Sequence, residues 1–392
     1  MRRCLGVFQS GRDFLQQLAD QHDTEIGIST LFESFKSKRR LRLLDELLTQ
    51  SRLRMRRDMP DALAHYACLA DFDLYAGDGH FIAAACHDLP APRGKPAADG
   101  SVRSAASPTA RVAVTKYATG HLYTLDLRTH AMSHLTVADQ IERKKEHEMR
   151  ALKRQTAETL RQAAPTGRKV LYVWDRAGID FRQWFDWKHR SGIYFLSREK
   201  DNMNLEVLGN NPFDAADPVN GGVLADQTVA TTTGVTVRRV IYQNPETGII
   251  YHYLTNLPAS VPPGVVALLY KLRWDVEKVF DEFKNKLMET KAWASSATAK
   301  TVQARMLCLT HNLMTLMEQT IEKCCGLRSE AEFKRREKRQ AEKSTPLPAA
   351  CLAIQRLTQR TVRFIRWLRN HLDLQRDWDH AIAKLARIYS QP

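Results

Sequence analysis

The sequence predicts a globular α/β protein. The chain has 392 residues, of which 43% are hydrophobic and 26% are charged, proportions typical of folded proteins rather than disordered or fibrous ones. Short β-like runs begin near Ala70, a charged stretch that favours helix follows at 138–164, and a buried strand then leads to Asp175. This order, β-β-β-α-β, predicts an α/β layer.

Hydropathy and cysteine usage limit the function classes. No apolar run approaches the roughly 18 to 20 residues that span a bilayer, and the mean hydropathy is −0.42, so a membrane-embedded protein is not expected. No apolar segment precedes Arg12 and Asp13, so we expect no secretory signal and a location in the cytosol. The seven cysteines are scattered without a C-x-x-C pair. Neither an H-E-x-x-H motif nor a Walker-type loop occurs, which disfavours a zinc hydrolase and an ATP motor.

The net charge indicates the class of partner. Lysine and arginine outnumber aspartate and glutamate by 59 to 44, which gives a net charge of +15. Such an excess attracts a polyanion through counterion release, so nucleic acid is the leading partner. The alternative is a basic cytosolic enzyme with no nucleic-acid substrate.

Residues 1–68 are predicted to form a helical module, because apolar residues recur there at spacings of three and four. The stretch from Lys36 to Arg57 is strongly basic and contains the acids Asp45 and Glu46. It is predicted either to lie along DNA or to form a solvated helix face. Its basic residues are Lys36, Lys38, Arg39, Arg40, Arg42, Arg52, Arg54, Arg56 and Arg57.

The middle of the chain is predicted to alternate between strands and helices. Strands are expected around a turn at Gly120–His121, and residues 90–108 are expected to form an irregular loop. Residues 192–261 favour strands again, two of which flank the turn sequence NPETG. A long helix is predicted from near Val265 to about Glu289.

The C-terminal region is predicted to be helical. Arg356, Arg360 and Arg363 share a helix face with Trp367, next to an apolar stripe. That face is predicted either to dock DNA or another subunit, or to be the wet side of a packed amphipathic helix.

The segment YKLRWDVEKVFDEFK, from Tyr270 to Lys284, is the most informative. At about 100° per residue, four of its polar residues share a stripe about 60° wide, beside an apolar stripe that should pack onto the sheet. A carboxylate flanked by a guanidinium and an ammonium suits a metal ligand beside a phosphate backbone. The alternative is an ordinary amphipathic helix with an Arg273–Glu277 pair. Asp281 lies on the same stripe, so geometry alone does not separate it from Glu277. The four residues are Tyr270, Arg273, Glu277 and Lys284.

Metal-dependent hydrolysis of a phosphate backbone needs further acids. Two divalent cations about 3.5 to 4 Å apart require several oxygen ligands from different elements. Asp175 follows a predicted strand, where α/β sheets commonly present functional side chains; its alternative role is a cap for the next loop. Asp78 lies in a strand-like segment, where a buried carboxylate is costly unless it is paired or metal-bound. Asp71, Asp73 and Asp88 compete with Asp78 for this role.

The order of these motifs resembles a known family. Asp78 in AGDGH, Asp175 in VWDRAGID and the pattern Y-x2-R-x3-E-x6-K at 270–284 look like the signature of a DDE transposase of the insertion-sequence-four (IS-four) family. The likeness covers about Asp71 to Leu316. In some relatives an aromatic residue of the β insertion stacks on a flipped base; no Trp occurs between Trp187 and Trp274 here, and Tyr242, Tyr251 or Tyr253 would substitute for it.

The resemblance implies a DNA transposase that cleaves and transfers strands of an insertion sequence. Asp78, Asp175 and Glu277 would be the catalytic residues and would hold two Mg²⁺ ions, with Mn²⁺ as a substitute. The partners implied are double-stranded DNA, in the form of the element's terminal inverted repeats and the target, and a second copy of the chain in a homodimer. The location implied is the bacterial cytoplasm, in association with the nucleoid.

Tyr270, Arg273 and Lys284 would bind the transposon-end DNA near the cleaved strand. The fold implied is a ribonuclease-H-like core interrupted by a β-rich insertion and flanked by helical regions. The rival functions are a catalytically inactive or co-opted DNA-binding protein and a repair nuclease on the same fold. The divisions expected are 1–68, a helical DNA-binding module; 69–191, the first part of the core; 192–261, the insertion; 262–325, the second part of the core with the Glu helix; and 326–392, the helical C-terminal region.

Overall fold

The computed structural model describes residues 4–6, 10–22, 25–83, 119–138, 148–162, 164–287, 289, 291–294, 296–328, 360–372 and 377–390. Helices occupy both ends of this part of the chain and cover the sheet between them. The α-helices are α1 (Gly11–His22), α2 (Ile28–Ser34), α3 (Lys38–Asp58), α4 (Glu148–Lys153), α5 (Ala157–Arg161), α6 (Phe181–Ser191), α7 (Pro263–Arg273), α8 (Asp275–Asp281), α9 (Ala297–Cys325), α10 (Val362–His371) and α11 (Trp378–Ser390).

One mixed sheet of nine strands forms the centre, in the order β3-β2-β1-β4-β5-β9-β8-β7-β6. Strand β4 is parallel to β1 and to β5, whereas the other neighbours are antiparallel. The predicted α/β class is therefore confirmed. The strands are β1 (Phe72–Ile82), β2 (Thr119–Asp126), β3 (Met132–Ala138), β4 (Lys169–Val173), β5 (Ile193–Arg198), β6 (Leu205–Asn210), β7 (Val223–Thr231), β8 (Thr236–Gln243) and β9 (Ile250–Thr255).

The two faces of the sheet bury different residues because side chains alternate along each strand. Leu74, Ala76 and Val173 point to the face that packs against the long C-terminal helices. Tyr75 and Tyr172 point to the opposite face, which is covered by α6 and its neighbours. The sheet therefore lies between two layers, and the same strand can present residues to both.

The N-terminal helices pack on the body of the protein through α3. Ser37 caps α3 by accepting a hydrogen bond of 3.3 Å from the Arg40 backbone N–H, as an N-cap serine typically does. Arg52, which is half-buried, contacts Ser133, and Arg56, which is exposed, contacts the buried Asp73. The predicted basic stretch is therefore divided, with some of its cations used inside the fold. Its exposed members are Lys36, Lys38, Arg39, Arg42, Arg54, Arg56 and Arg57.

The expected turn at Gly120–His121 is wrong. Both residues lie inside β2, and the chain instead turns between β2 and β3, where His130 has a φ of 62°. Gly120 is required for space, because a Cβ there would lie 2.4 Å from the ring of Phe81. The predicted loop at 90–108, together with Asp88 and Arg356, lies outside the described residues.

Two further expectations are refined. The helix-favouring stretch at 138–164 contains the short helices α4 and α5 in its described part. Strands β5, β8 and β9 lie where strands were expected, but β6 and β7 had not been predicted individually. Among the described helices, none is long and apolar enough to span a bilayer.

Candidate active site

The helix that carries Glu277 is divided into segments. Helix α7 ends at Arg273, Trp274 makes a turn, α8 continues to Asp281, and a π-helical turn follows at Glu282–Lys286. The single continuous helix that was predicted is thus wrong in detail. The prediction that its apolar stripe is buried is confirmed. The buried residues of this stripe are Leu272, Val276, Val279, Phe280, Phe283 and Leu287.

Arg273 joins two of the predicted site acids. Its Nη1 donates to Asp78 Oδ2 at 3.0 Å, and its Nη2 donates to Glu277 Oε1 at 2.8 Å. The side chains of Arg273 and Asp78 are only 7% and 14% exposed, whereas that of Glu277 is 36% exposed. Burial opposes the charge of Arg273, but the nearby carboxylates, chiefly Asp78, raise its pKa above the usual value. The guanidinium therefore balances two carboxylates that approach from β1 and α8.

The register of the sheet places Asp175 at the level of Asp78. Ala76 of β1 is the register partner of Val173 in β4, and each acid lies two residues further along its own chain segment. Neighbouring strands run about 4.8 Å apart, and the carboxyl ends of parallel strands meet at one edge of the sheet. Asp175 Oδ1 accepts a hydrogen bond of 2.8 Å from the Ala177 backbone N–H. Asp175 therefore fills the capping role weighed in the sequence as well as occupying the expected edge.

Tyr270 is close to Arg273 and is affected by the charge of Asp175. Burial is the main cause that raises the pKa of Tyr270, Arg273 opposes this shift, and the charge of Asp175 adds to it. The Tyr270 ring centroid lies 5.7 Å from Arg273 Cζ and 4.9 Å from the ring centroid of Tyr253 on β9. Tyr270 therefore contacts both Tyr253 of β9 and Arg273, the residue that bonds to Asp78 and Glu277.

Lys284 is exposed and belongs to the π-helical turn. Burial, followed by the positive charge of Lys284, lowers the pKa of His80 to about 4. His80 lies two residues beyond Asp78 on β1 and stacks on Phe280 with ring centroids 4.7 Å apart. Lys284 therefore lies about one helical turn beyond Phe280, the residue that packs against the strand carrying Asp78.

Comparison with protein families identifies the chain. The family model described as Transposase DDE domain matches residues 97–313, which is more than half of the 392 residues. The chain belongs to this family. The matched region of this transposase-domain protein includes Asp175 and Glu277 and begins after Asp78. A search of curated proteins found no match.

Asp78, Asp175 and Glu277 carry the oxygen ligands that a divalent cation prefers. Their side chains do not form a complete metal site in this structure. Carboxylate oxygens are the ligands that Mg²⁺ prefers. Within the described residues, however, no three His, Cys, Asp or Glu side chains lie close enough to hold a metal ion. Arg273 donates to one oxygen of Asp78 and one oxygen of Glu277, so a cation bound by these two oxygens would compete with it. In chemistry, the donor set therefore fits the ion.

The competing acids lie elsewhere. Asp73 is buried and accepts hydrogen bonds from Arg168 Nε at 2.6 Å and from Arg56 Nη2 at 3.2 Å. It points to the opposite face of β1 from Asp78, because five residues separate them. Asp281 accepts a hydrogen bond of 2.6 Å from Asn285 Nδ2. Asp73 and Asp281 thus have other hydrogen-bond partners, whereas Asp78 and Glu277 are joined by Arg273.

Arg198 lies in line with the predicted acids, a placement that the sequence did not reveal. Leu196 of β5 is the register partner of Val173, so Arg198 continues the row formed by Asp78 and Asp175. Its guanidinium carbon lies 4.9 Å from the ring centroid of Tyr251. A local sequence pattern carries no information on strand register, which is why this transposase residue was missed.

Proposed function

We propose that this protein is a transposase of the IS-four family, which cleaves DNA at the ends of an insertion sequence and transfers the strands to a target. The observation that carries the proposal is the pair of hydrogen bonds from Arg273 to Asp78 and Glu277. They unite an acid of β1 with an acid of α8 at the sheet level where Asp175 lies. Independent support comes from the Transposase DDE domain match.

Asp78, Asp175 and Glu277 are proposed to be the catalytic acids and to hold two Mg²⁺ ions, with Mn²⁺ as a substitute. When bound, a pair of such ions activates the attacking hydroxyl and stabilises the leaving oxygen in an in-line displacement at phosphorus. The fold restrains two of these acids. Asp78 belongs to the central strand β1 and accepts a hydrogen bond from the Gly79 backbone N–H, and Asp175 accepts one from the Ala177 backbone N–H. Of the two acids that Arg273 contacts, Glu277 is the more exposed. Its side chain therefore has more freedom to change conformation when a cation binds.

Tyr270, Arg273 and Lys284 are proposed to bind DNA near the cleaved strand. A guanidinium released from the carboxylates binds a phosphate through two parallel hydrogen bonds. The exposed ammonium of Lys284 supplies a point charge for a second phosphate. The net charge of +15 supports association with double-stranded DNA over a wider surface.

The finer architecture is also proposed. Strands β3-β2-β1-β4-β5 are consecutive neighbours in the sheet, which supports a ribonuclease-H-like core made from 69–191 and 262–325. Strands β6–β9 extend the sheet beyond β5 and fall between Asp175 and Glu277 in the chain, which supports an insertion at 192–261. Residues 1–68 are proposed as a DNA-binding module and 326–392 as a helical C-terminal region.

The assembly and location follow from the proposed reaction. Two element ends must be brought together for transfer, so we propose a homodimer bound to the terminal inverted repeats and the target DNA. The protein is proposed to act in the bacterial cytoplasm at the nucleoid, where its substrate is found.

The test is strand cleavage by the full chain with a plasmid that carries the DNA flanking the coding region. We expect cleavage that requires Mg²⁺ or Mn²⁺, and we expect Glu277→Gln to abolish it while DNA affinity stays within about twofold of the unaltered protein. Asp281→Asn, on the same helix, is the matched control and should still cleave. Cleavage by Glu277→Gln at the normal rate would refute the assignment, and DNA binding without any metal-dependent cleavage would favour a co-opted binding protein.

A further inference from the structure

Glu282 is buried although it does not lie on the apolar stripe of its helix. It directly follows α8, opens the π-helical turn Glu282–Lys286, and is only 3% exposed. In a regular α-helix it would lie at about 120° from Tyr270, outside the apolar stripe at roughly 180° to 280°. Hydrophobic burial therefore does not explain why this carboxylate lies inside the protein.

Ionic partners from two later segments hold Glu282 inside. Arg360 Nη1 donates to both carboxylate oxygens, at 2.8 and 2.6 Å, and His311 Nδ1 lies 3.0 Å from Oε1. Arg360 also donates from Nε to Glu318 at 2.6 Å, and its side chain is only 3% exposed. Burial opposes the charge of Glu282, yet Arg360, followed by His311, lowers the pKa of Glu282 to about 2. The carboxylate is thus an ionised anchor inside the protein.

The anchored Glu282 is the first residue of the widened helical turn that carries Lys284. The Leu287 backbone N–H donates to the Glu282 carbonyl at 2.9 Å, an i→i+5 bond that closes a π-helical turn. Lys284 lies inside this turn, four residues after Phe280, whose ring stacks on His80 of β1 with centroids 4.7 Å apart. The direction of Lys284 therefore depends on the turn that begins at the anchored residue.

We propose that Arg360 is a positioning residue for DNA binding. By holding Glu282 in the interior, it maintains the π-helical turn and directs Lys284 toward the DNA strand at the acids. The inference rests on the proposed function, because Lys284 is taken as a DNA contact. Arg360 is itself buried, so it acts through Lys284 rather than on DNA. This gives a role to an arginine that the sequence had placed on a docking face.

The test is the salt dependence of DNA binding by the full chain, with a mixed-sequence duplex as the probe. Each phosphate contact contributes about 0.9 to the slope of log affinity against log salt concentration. We expect Lys284→Ala to reduce this slope by about 0.9. Arg360→Lys keeps the charge but loses the planar fork, and it should reduce the slope by a similar amount. The variant with both substitutions should show no further reduction, since both remove one contact.

A second pair of variants separates positioning from general stability. Replacing one partner of a buried ion pair leaves the other uncompensated, whereas replacing both with apolar residues is often tolerated. Glu282→Met combined with Arg360→Met should therefore fold, as circular dichroism will report, and still lose about 0.9 of the slope. The matched control is Asp226→Met with Arg238→Met, another buried pair, joined at 2.5 Å between β7 and β8. It should leave the slope unchanged.

The outcomes are distinct. A normal slope in Arg360→Lys and in the Glu282–Arg360 double variant, together with a reduced slope in Lys284→Ala, would overturn the inference and leave the proposed function intact. A normal slope in Lys284→Ala would refute the DNA contact itself, and the inference would fail with it. An equal reduction in the Asp226–Arg238 control would show that the effect is one of general stability and would also overturn the inference.

Discussion

Arg273 donates a hydrogen bond of 3.0 Å to Asp78, although 195 residues separate the two in the chain. The same guanidinium reaches Glu277 at 2.8 Å, so one cation offsets the repulsion between two carboxylates. A divalent ion bound there would take over this electrostatic role. Arg273 would therefore compete with such an ion for Asp78 Oδ2 and Glu277 Oε1, and a guanidinium displaced from these oxygens would be available to a DNA phosphate.

The first prediction concerns metal affinity. Arg273→Ala should bind Mn²⁺ at least about tenfold more tightly than the unaltered protein, because the ion then displaces no hydrogen bond from Arg273, and even one such bond to a charged group is worth roughly 1.5 to 3 kcal/mol. Titration calorimetry of the full chain without DNA measures this. Arg176→Ala is the control, since Arg176 follows Asp175 but pairs with the exposed Asp201 at 3.2 Å. Equal or weaker Mn²⁺ binding by Arg273→Ala would contradict the competition.

The second prediction concerns the space around Trp174, which precedes Asp175. A Cβ on Gly77 would lie 2.5 Å from the Trp174 ring, so Gly77→Ala must displace that ring. We expect a loss of about 1 to 3 kcal/mol in the free energy of unfolding, measured by urea denaturation, and slower DNA cleavage. Gly209→Ala, which meets no atom within 4 Å, should leave cleavage unchanged. Normal stability and cleavage in Gly77→Ala would refute the packing argument.

The third prediction concerns acid stability. Burial, followed by the charges of His80 and Lys300, lowers the pKa of His121 to about 3, so this histidine stays neutral in the folded protein while it takes up a proton in the unfolded chain. Its contribution is fully present above the unfolded pKa of about 6.5 and is lost as the pH falls towards 3. Between pH 6.5 and 5 one such histidine costs about 2 kcal/mol.

His121→Asn removes this proton uptake. Its free energy of unfolding should therefore fall by about 2 kcal/mol less than that of the unaltered protein between pH 6.5 and 5, as urea denaturation at the two values would measure. His189→Asn is the control, because His189 is exposed. An identical fall in the unaltered protein and in His121→Asn would contradict the prediction.

Local patterns were enough to predict the helix around Glu277. The stripe that contains Val276 and Phe283 is buried as expected, because helical periodicity depends only on residues a few positions apart. The strand before Asp175 was found for a similar reason, since β4 is a short apolar run. In each case the signal lies within one element.

Relations between distant elements were not predictable in the same way. The alignment of Arg198 with Asp175 depends on strand register, and the bond between Arg360 and Glu282 joins residues 78 positions apart. Gly120 was taken for a turn residue, yet it is required by the Phe81 ring beside it on β1. The sequence alone does not distinguish a glycine that is required for its backbone conformation from one that is required because a side chain would not fit.

The central claim is that Asp78, Asp175 and Glu277 meet around divalent cations, and metal-directed cleavage of the polypeptide tests it most directly. The full chain with duplex DNA is loaded with Fe²⁺ in place of Mg²⁺ and treated with ascorbate and hydrogen peroxide, and the fragments are sized by mass spectrometry. The account predicts backbone cuts beside all three acids, each suppressed by excess Mg²⁺. Cuts beside only one of them, or cuts that Mg²⁺ does not suppress, would contradict it.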